Sequence, residues 1–278
     1  MTEAQAPSAW TPPTGTLGEL TDEARARAAT LRSSKAELER RANGAPAPPP
    51  FAAALRGSHV SVIAELKRSS PSKGVINAAI RVESQLDAYE RGGAAAASIL
   101  TEPTRFSGSN DDLVRARATV RIPLLKKDFH VDPLQIVEAK ALGASAALVI
   151  ARAVNPPQAL ELFQAARDVG IEILMEIRTE AELDLALSLD AKVVGVNNRN
   201  LETLEIDPDT AARLIPLIPA RLVAVAESGV RSVEDVRRMA EAGADAVLVG
   251  SAISASADPE AAVRSLTGVA RGSNARKD

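Results

Sequence analysis

Ile63-Ala64-Glu65-Leu66-Lys67-Arg68-Ser69-Ser70-Pro71-Ser72-Lys73-Gly74 is the stretch from which the rest of the chain is read. The apolar run over residues 60–66 is a buried strand. Side chains alternate faces along a strand, so Glu65 and Lys67 project to the same side where it ends. A carboxylate and an ammonium group are held there side by side. A Ser/Pro/Gly segment follows, whose hydroxyls and amides suit an anion. One such pair is no more than a surface ion pair beside a turn. Its weight comes from repetition, because the chain places charged residues at one strand end after another.

From His59 onward short aliphatic runs alternate with Ala/Glu/Arg-rich segments of helical period. The strand candidates cover residues 60–66, 96–100, 123–125, 146–150, 171–177, 193–196, 222–226 and 246–249. The helical segments cover 82–91, 111–118, 133–142, 157–169, 180–189 and 233–242. Gly93-Ala94, Gly143-Ala144 and Gly243-Ala244 read as left-handed helix ends leading directly into the next strand. Eight βα units fit a closed α/β fold, the (β/α)8 TIM barrel, which typically needs about 250 residues. An open doubly wound sheet would show a Gly-rich dinucleotide loop after its first strand, and none is present. Ahead of the barrel, residues 17–41 have the spacing of one amphipathic helix and 51–56 that of a short second one. The expected organisation is a disordered tail over 1–16, a helical extension over 17–56 and a barrel over 57–272. No second barrel follows Ser251, so a bifunctional fusion is not expected.

Composition narrows the function. The 278 residues carry a net charge of −3 with both signs interspersed, which argues against a nucleic-acid partner. There is no cysteine and there are only two histidines, His59 and His130, so neither thiolate chemistry nor a metal site is expected. No secretory signal and no apolar stretch of about 18 residues is seen. The expectation is a cytoplasmic protein with no membrane contact.

Barrel active sites lie at the C-terminal strand ends. This sequence places there Glu65 and Lys67, Thr101-Glu102 followed by Phe106, Gly108 and Ser109, then Lys126-Lys127-Asp128, Glu176, Asn197-Asn198-Arg199, Glu227-Ser228-Gly229 and Gly250-Ser251. So many charges in apolar strands are costly unless they compensate one another around a ligand. Ser228-Gly229 and Gly250-Ser251 follow strands seven and eight, where barrels hold phosphate, and flank helix starts. With Ser70 and Lys73 reaching over from the first loop, they predict a phosphorylated substrate. Lys126 is expected to point away from Lys127. His130 is expected on a solvent-facing loop, His59 at the opposite end from the chemistry, and Trp10 in the tail.

The block 63–74 resembles the signature of the indole-3-glycerol-phosphate synthase family. The resemblance continues through Ser98-Ile99-Leu100-Thr101-Glu102, Phe106-Ser107-Gly108-Ser109, Leu125-Lys126-Lys127-Asp128-Phe129, Leu174-Met175-Glu176-Ile177, residues 194–201, residues 225–229 and Val249-Gly250-Ser251. It covers roughly residues 17–270 in order. It implies ring closure, decarboxylation and dehydration of 1-(2-carboxyphenylamino)-1-deoxyribulose 5-phosphate to indole-3-glycerol phosphate in tryptophan biosynthesis, with no cofactor. It assigns Lys127 as general acid, Glu176 as general base, Lys67 to the substrate carboxylate and Glu65 to orienting Lys67. Asn197, Arg199, Glu227 and Ser228 would position the substrate, with Phe106 against its ring. Ser70, Gly229, Gly250 and Ser251 would hold the phosphate. A monomer with weak association to other tryptophan-pathway enzymes is expected. Val75 and His130 depart from the family pattern without touching a residue given a role. A phosphoribosylanthranilate isomerase type of barrel would not need both lysines with Glu65 and Glu176. A non-catalytic sensor barrel would lack at least one of Lys67, Lys127 and Glu176.

Overall fold

The computed structural model describes residues 10–272 and Arg276. Eight parallel strands close into one barrel: β1 (Ser61–Leu66), β2 (Ala96–Leu100), β3 (Leu124–Lys127), β4 (Ala146–Ile150), β5 (Glu172–Ile177), β6 (Val193–Asn197), β7 (Val223–Glu227) and β8 (Ala246–Val249). Each pairs with its sequence neighbours, and β8 closes the ring onto β1 through Ser61↔Ala246 and Ala64↔Val249. The strands are Val/Ile/Leu/Ala runs buried on both faces, which is what a parallel sheet wrapped by helices requires. The core is almost wholly aliphatic, with Phe51 and Tyr89 its largest fully buried rings.

The Gly-Ala steps behave as read. Gly93, Gly143 and Gly243 have φ of +93°, +92° and +95°, and the amides of Ala94, Ala144 and Ala244 bond back to Tyr89, Ala139 and Met239. Each helix thus ends and turns into the next strand within two residues. β3 runs two residues further than read, to Lys127, so both lysines belong to the strand and project from opposite faces. The last strand is also followed by helices, α11 (Ser251–Ser254) and α12 (Pro259–Arg264).

The extension is two helices rather than one: α1 (Gly15–Leu31) and α2 (Lys35–Gly44), separated by a 3₁₀ turn at Arg32–Ser34. The turn lets α1 lie over the barrel mouth while α2 descends along its side against α6 (Pro133–Ala141). α1 buries Leu17, Leu20, Ala24 and Ala28, the i, i+3, i+4 stripe of an amphipathic helix. The short α3 (Phe51–Ala54) is fixed by Glu172, which accepts from the amides of Phe51 and Ala52 at 2.8 and 3.1 Å. Of the stretch read as a disordered tail, residues 1–9 lie outside the described residues. Beyond them, Arg152 reaches the carbonyls of Thr11 and Pro12 at 2.6 and 3.3 Å, and the Thr14 amide donates to Glu202 at 2.7 Å. His59 pairs with Ala270 at the N-terminal end of the barrel, away from the strand ends that carry the charges.

Candidate active site

The C-terminal mouth of the barrel holds an open cavity walled by Glu65, Lys67, Ser70, Phe106, Lys127, Glu176, Asn197, Arg199 and Ser228 together with Thr16 and Leu20 of α1. The strand register explains the convergence. Glu176 sits opposite Gly195, and Asn197 opposite Glu227, on neighbouring strands. Glu65 and Lys127 come from β1 and β3, and meet across the barrel. Lys67 Nζ lies 3.1 Å from Glu65 Oε1, and Lys127 Nζ lies 3.4 Å from Glu65 Oε2 and 2.7 Å from Glu227 Oε2. Asn197 Nδ2 donates to Glu176 Oε1 at 3.0 Å, and its Oδ1 accepts the Arg199 amide at 2.9 Å. Glu227 does not reach the cavity wall; it lies buried behind Lys127.

The charge pattern sets the protonation states. Burial works against the Glu65 carboxylate, but Lys67 and Lys127 outweigh it and hold Glu65 below its ordinary value. Burial also works against the Lys127 ammonium, yet Glu227, Glu65 and Glu176 hold it well above the usual lysine range. The charges that act on Lys127 are those of acids from three other strands. Glu176 goes the other way. Burial, the Glu227 carboxylate beside it and a hydrogen bond shared with that carboxylate push it up to about 8, against the pull of Lys127 and Asn197. Below that pH Glu176 is neutral beside the Lys127 ammonium and the Glu65 carboxylate.

Two glycines make room for these acids. A Cβ on Gly195 would fall 2.2 Å from Glu227 Oε1 and 2.7 Å from Leu174 Cδ2, and one on Gly250 would fall 2.4 Å from Glu65 Oε1. Gly195→Ala must displace a fully buried carboxylate already bonded to Lys127. It is expected to destabilise the protein by roughly 1–3 kcal/mol, the usual cost of overpacking, and to lower turnover. Denaturant melts and assays that match the wild type would show that Glu227 needs no such space.

The residues expected to hold phosphate stand on three adjacent strand ends, since β8 lies between β7 and β1. Ser70 and Ser228 line the cavity, whereas Gly229, Gly250 and Ser251 are not among its lining residues. Ser228 and Gly229 both take left-handed backbone, φ +63° and +94°, a conformation that is unfavourable for serine and turns the chain sharply. They do not start a helix as read: α10 (Val233–Glu241) begins four residues later, capped by Ser232. Gly250 does precede a helix, α11. That helix is pinned to β1, because Ser254 Oγ donates to the Glu65 carbonyl at 2.9 Å and accepts the Lys67 amide at 3.1 Å. Lys73 is not among the cavity-lining residues.

Other expectations resolve plainly. Lys126 points away from the mouth and pairs with Glu138 at 2.8 Å. His130 is not a solvent-facing loop residue. It is 2% exposed, with Nδ1 2.7 Å from the Leu148 carbonyl. Burial and the adjacent Lys126 charge lower it to about 3, so it is a neutral packed ring. Sequence reasoning gave no role to Phe129, which lines the cavity and faces Phe106 at 6.3 Å between ring centroids. It also missed Asn198, whose side chain donates to the Ser228 carbonyl at 2.9 Å and accepts the Ala211 amide at 2.8 Å, fixing the loop after β7. Phe129 follows the Lys-Lys-Asp step directly, and that adjacency was the available signal.

Comparison with known proteins identifies the family. The family model described as indole-3-glycerol phosphate synthase matches residues 18–266. The indole-3-glycerol phosphate synthase of Mycolicibacterium gilvum (strain PYR-GCK) is 48% identical over 233 residues, covering 84% of this chain and 86% of the relative. That of Mycobacterium leprae (strain Br4923) is 46% identical over 233 residues, with the same coverage, 84% and 86%. Among solved structures, 3-hexulose-6-phosphate synthase from Salmonella typhimurium aligns with a TM-score of 0.59 at 15% identity, over 74% of this chain and 96% of that one. At that identity the likeness speaks for the barrel fold alone. By the family match and by near half-identity over most of both chains, the chain belongs to the indole-3-glycerol phosphate synthase family, the decarboxylating lyases of tryptophan biosynthesis.

Proposed function

We propose that the residues at this mouth divide the family's reaction among themselves as follows. The substrate, 1-(2-carboxyphenylamino)-1-deoxyribulose 5-phosphate, lies with its ring against Phe106 and its phosphate at Ser70, Ser228-Gly229 and Gly250-Ser251. Lys67, held by Glu65 and 5.6 Å over the Phe106 ring, meets the ring carboxylate. The ring carbon bearing that carboxylate bonds to the ribulose carbonyl carbon, and Lys127 delivers a proton to the carbonyl oxygen as negative charge develops on it. The bond to the carboxylate then breaks, its electrons return to the ring, and carbon dioxide leaves. Lys127, left neutral by that transfer, takes the proton of Glu176, which thereby becomes the carboxylate base. Glu176 then removes a proton from the carbon between the nitrogen and the new hydroxyl-bearing carbon while Lys67, freed as carbon dioxide leaves, protonates the hydroxyl, which departs as water and yields the indole. Arg199 and Asn197 orient the substrate, Asn197 holds Glu176, and Glu227 acts from behind the wall by holding Lys127.

Three acids around Lys127 keep it charged but oppose its deprotonation. With Glu176 carrying a proton, one of the three is neutral, which brings Lys127 nearer to transfer. The observation that carries the reading is the Glu65–Lys127–Glu227 contact, which joins β1, β3 and β7 over the same cavity that Glu176 lines. With the reading go a monomer in the cytoplasm, weak association with other enzymes of tryptophan biosynthesis, and a division into an extension over 17–56 and a catalytic barrel over 57–272. No helix among the described residues is long and apolar enough to cross a membrane.

The test is direct. Purified protein mixed with the carboxyphenylamino substrate should generate indole fluorescence with release of carbon dioxide. A flat fluorescence trace with folded protein would defeat the proposal.

A further inference from the structure

Glu102 and Asp128 are buried carboxylates at the ends of neighbouring strands β2 and β3, and the reaction as described uses neither. Glu102 is fully buried and gathers the loop behind it: it accepts the amides of Thr104, Arg105 and Phe106 at 2.8, 2.7 and 3.1 Å. Asp128 accepts the Thr101 hydroxyl at 2.7 Å and the Phe129 amide at 2.8 Å. Each carboxylate thus fixes the backbone of one of the two phenylalanines that form a tilted pair on the cavity wall, 6.3 Å between centroids. Both acids converge on one cation. Arg27 of α1 places Nη2 at 2.6 Å from Asp128 Oδ1 and Nη1 at 3.7 Å from Glu102 Oε1. Among the described residues it is the one ion-pair partner of either.

We propose that Arg27 is a positioning residue that sets the arrangement of the Phe106–Phe129 pair on the cavity wall and so selects for the flat carboxyphenyl half of the substrate. The inference rests on the ring-closure reading above. Its physical basis is that two buried carboxylates side by side are costly unless one guanidinium fork serves both. Without the fork, the two acids relax apart and carry with them the loops that hold the rings. The N-terminal helix is then part of the aromatic specificity of the site as well as its cover. The phosphate end, on the β7, β8 and β1 side, is untouched by this contact.

In the full chain, Arg27→Met is expected to raise KM for the carboxyphenylamino substrate about tenfold or more, with kcat within about threefold of wild type. Inorganic phosphate as competitive inhibitor should keep its wild-type inhibition constant. Arg27→Lys, which keeps a charge and loses the fork, should give an intermediate KM, and it carries the test if R27M does not fold. A KM within about twofold of wild type in both variants overturns the proposal. So does a loss confined to kcat, or a phosphate constant that rises with KM. Turnover by the wild type in the same assay separates the two levels: an inactive wild type defeats the functional reading, whereas unresponsive variants of an active enzyme defeat only the role of Arg27.

Discussion

Lys127→Ala loses more than ~10²-fold in turnover, the scale of removing a positioned general acid, and still binds phosphate. The expectation follows from where the Lys127 ammonium sits. It is 2.7 Å from Glu227 and 3.4 Å from Glu65, inside the cavity that would hold the carbonyl. Neither neighbouring lysine can take its place. Lys126 is turned outward to Glu138, and Lys67 is already paired with Glu65. Removing the ammonium leaves Glu227 buried without a counter-charge, a loss that typically costs 3–5 kcal/mol when one partner of a buried pair is deleted. Stability is therefore expected to fall along with activity, and Lys127→Met, which keeps most of the packed volume, is the cleaner variant. If K127M folds and turns over within tenfold of wild type, the proton donor is another group. If inorganic phosphate no longer binds, the lysine serves binding rather than proton transfer.

What the sequence made legible is governed by short-range rules. The period-2 strands, the Gly-Ala helix ends and the rise of charge at strand ends are local patterns, and closure of eight such units brings Glu65, Lys67, Lys127, Glu176 and Asn197 to one mouth. The less legible features depend on neighbours remote in the chain. His130 sits five residues beyond where the third strand was read to end, in a position that looks like loop, but the Leu148 carbonyl of the next strand takes its Nδ1 and buries it. Gly195 and Gly250 look like ordinary turn or strand glycines until the carboxylates of Glu227 and Glu65 are seen to fill the space a Cβ would occupy. The state of Lys127 is decided by three glutamates from three other strands, Glu227, Glu65 and Glu176. Nor can spacing reveal that Arg27, on a helix outside the barrel, closes onto Asp128.

Glu176→Gln should separate catalysis from stability in opposite directions. As the proposed base for dehydration, Glu176 cannot be replaced by an amide without losing about 10² or more in turnover, with substrate affinity little changed because the amide keeps the carbonyl that accepts from Asn197. Stability moves the other way, and its pH dependence gives the sign. The folded protein raises Glu176 from 4.5 to about 8, chiefly by burial and then by Glu227. Between those two values the folded state holds a proton that the unfolded state releases, so stability contributed at this site falls as pH rises through the window. Below 4.5 both states are protonated and above about 8 both are ionised, so the contribution is flat at each end. Glutamine cannot ionise and escapes the penalty. The variant's stability relative to wild type should therefore climb from pH 4.5 to about 8 and then level off. Denaturant unfolding of both proteins across that range measures it directly. A difference that stays constant with pH would mean that Glu176 keeps an ordinary carboxyl in the fold. It would then be already ionised at neutral pH, and the charge balance that eases proton transfer from Lys127 would have to come from the substrate. A difference that climbs as described, together with the loss of turnover, would place the cost of a buried ionisable acid at the residue the chemistry needs, the trade of stability for activity expected of a site that must hold and release a proton.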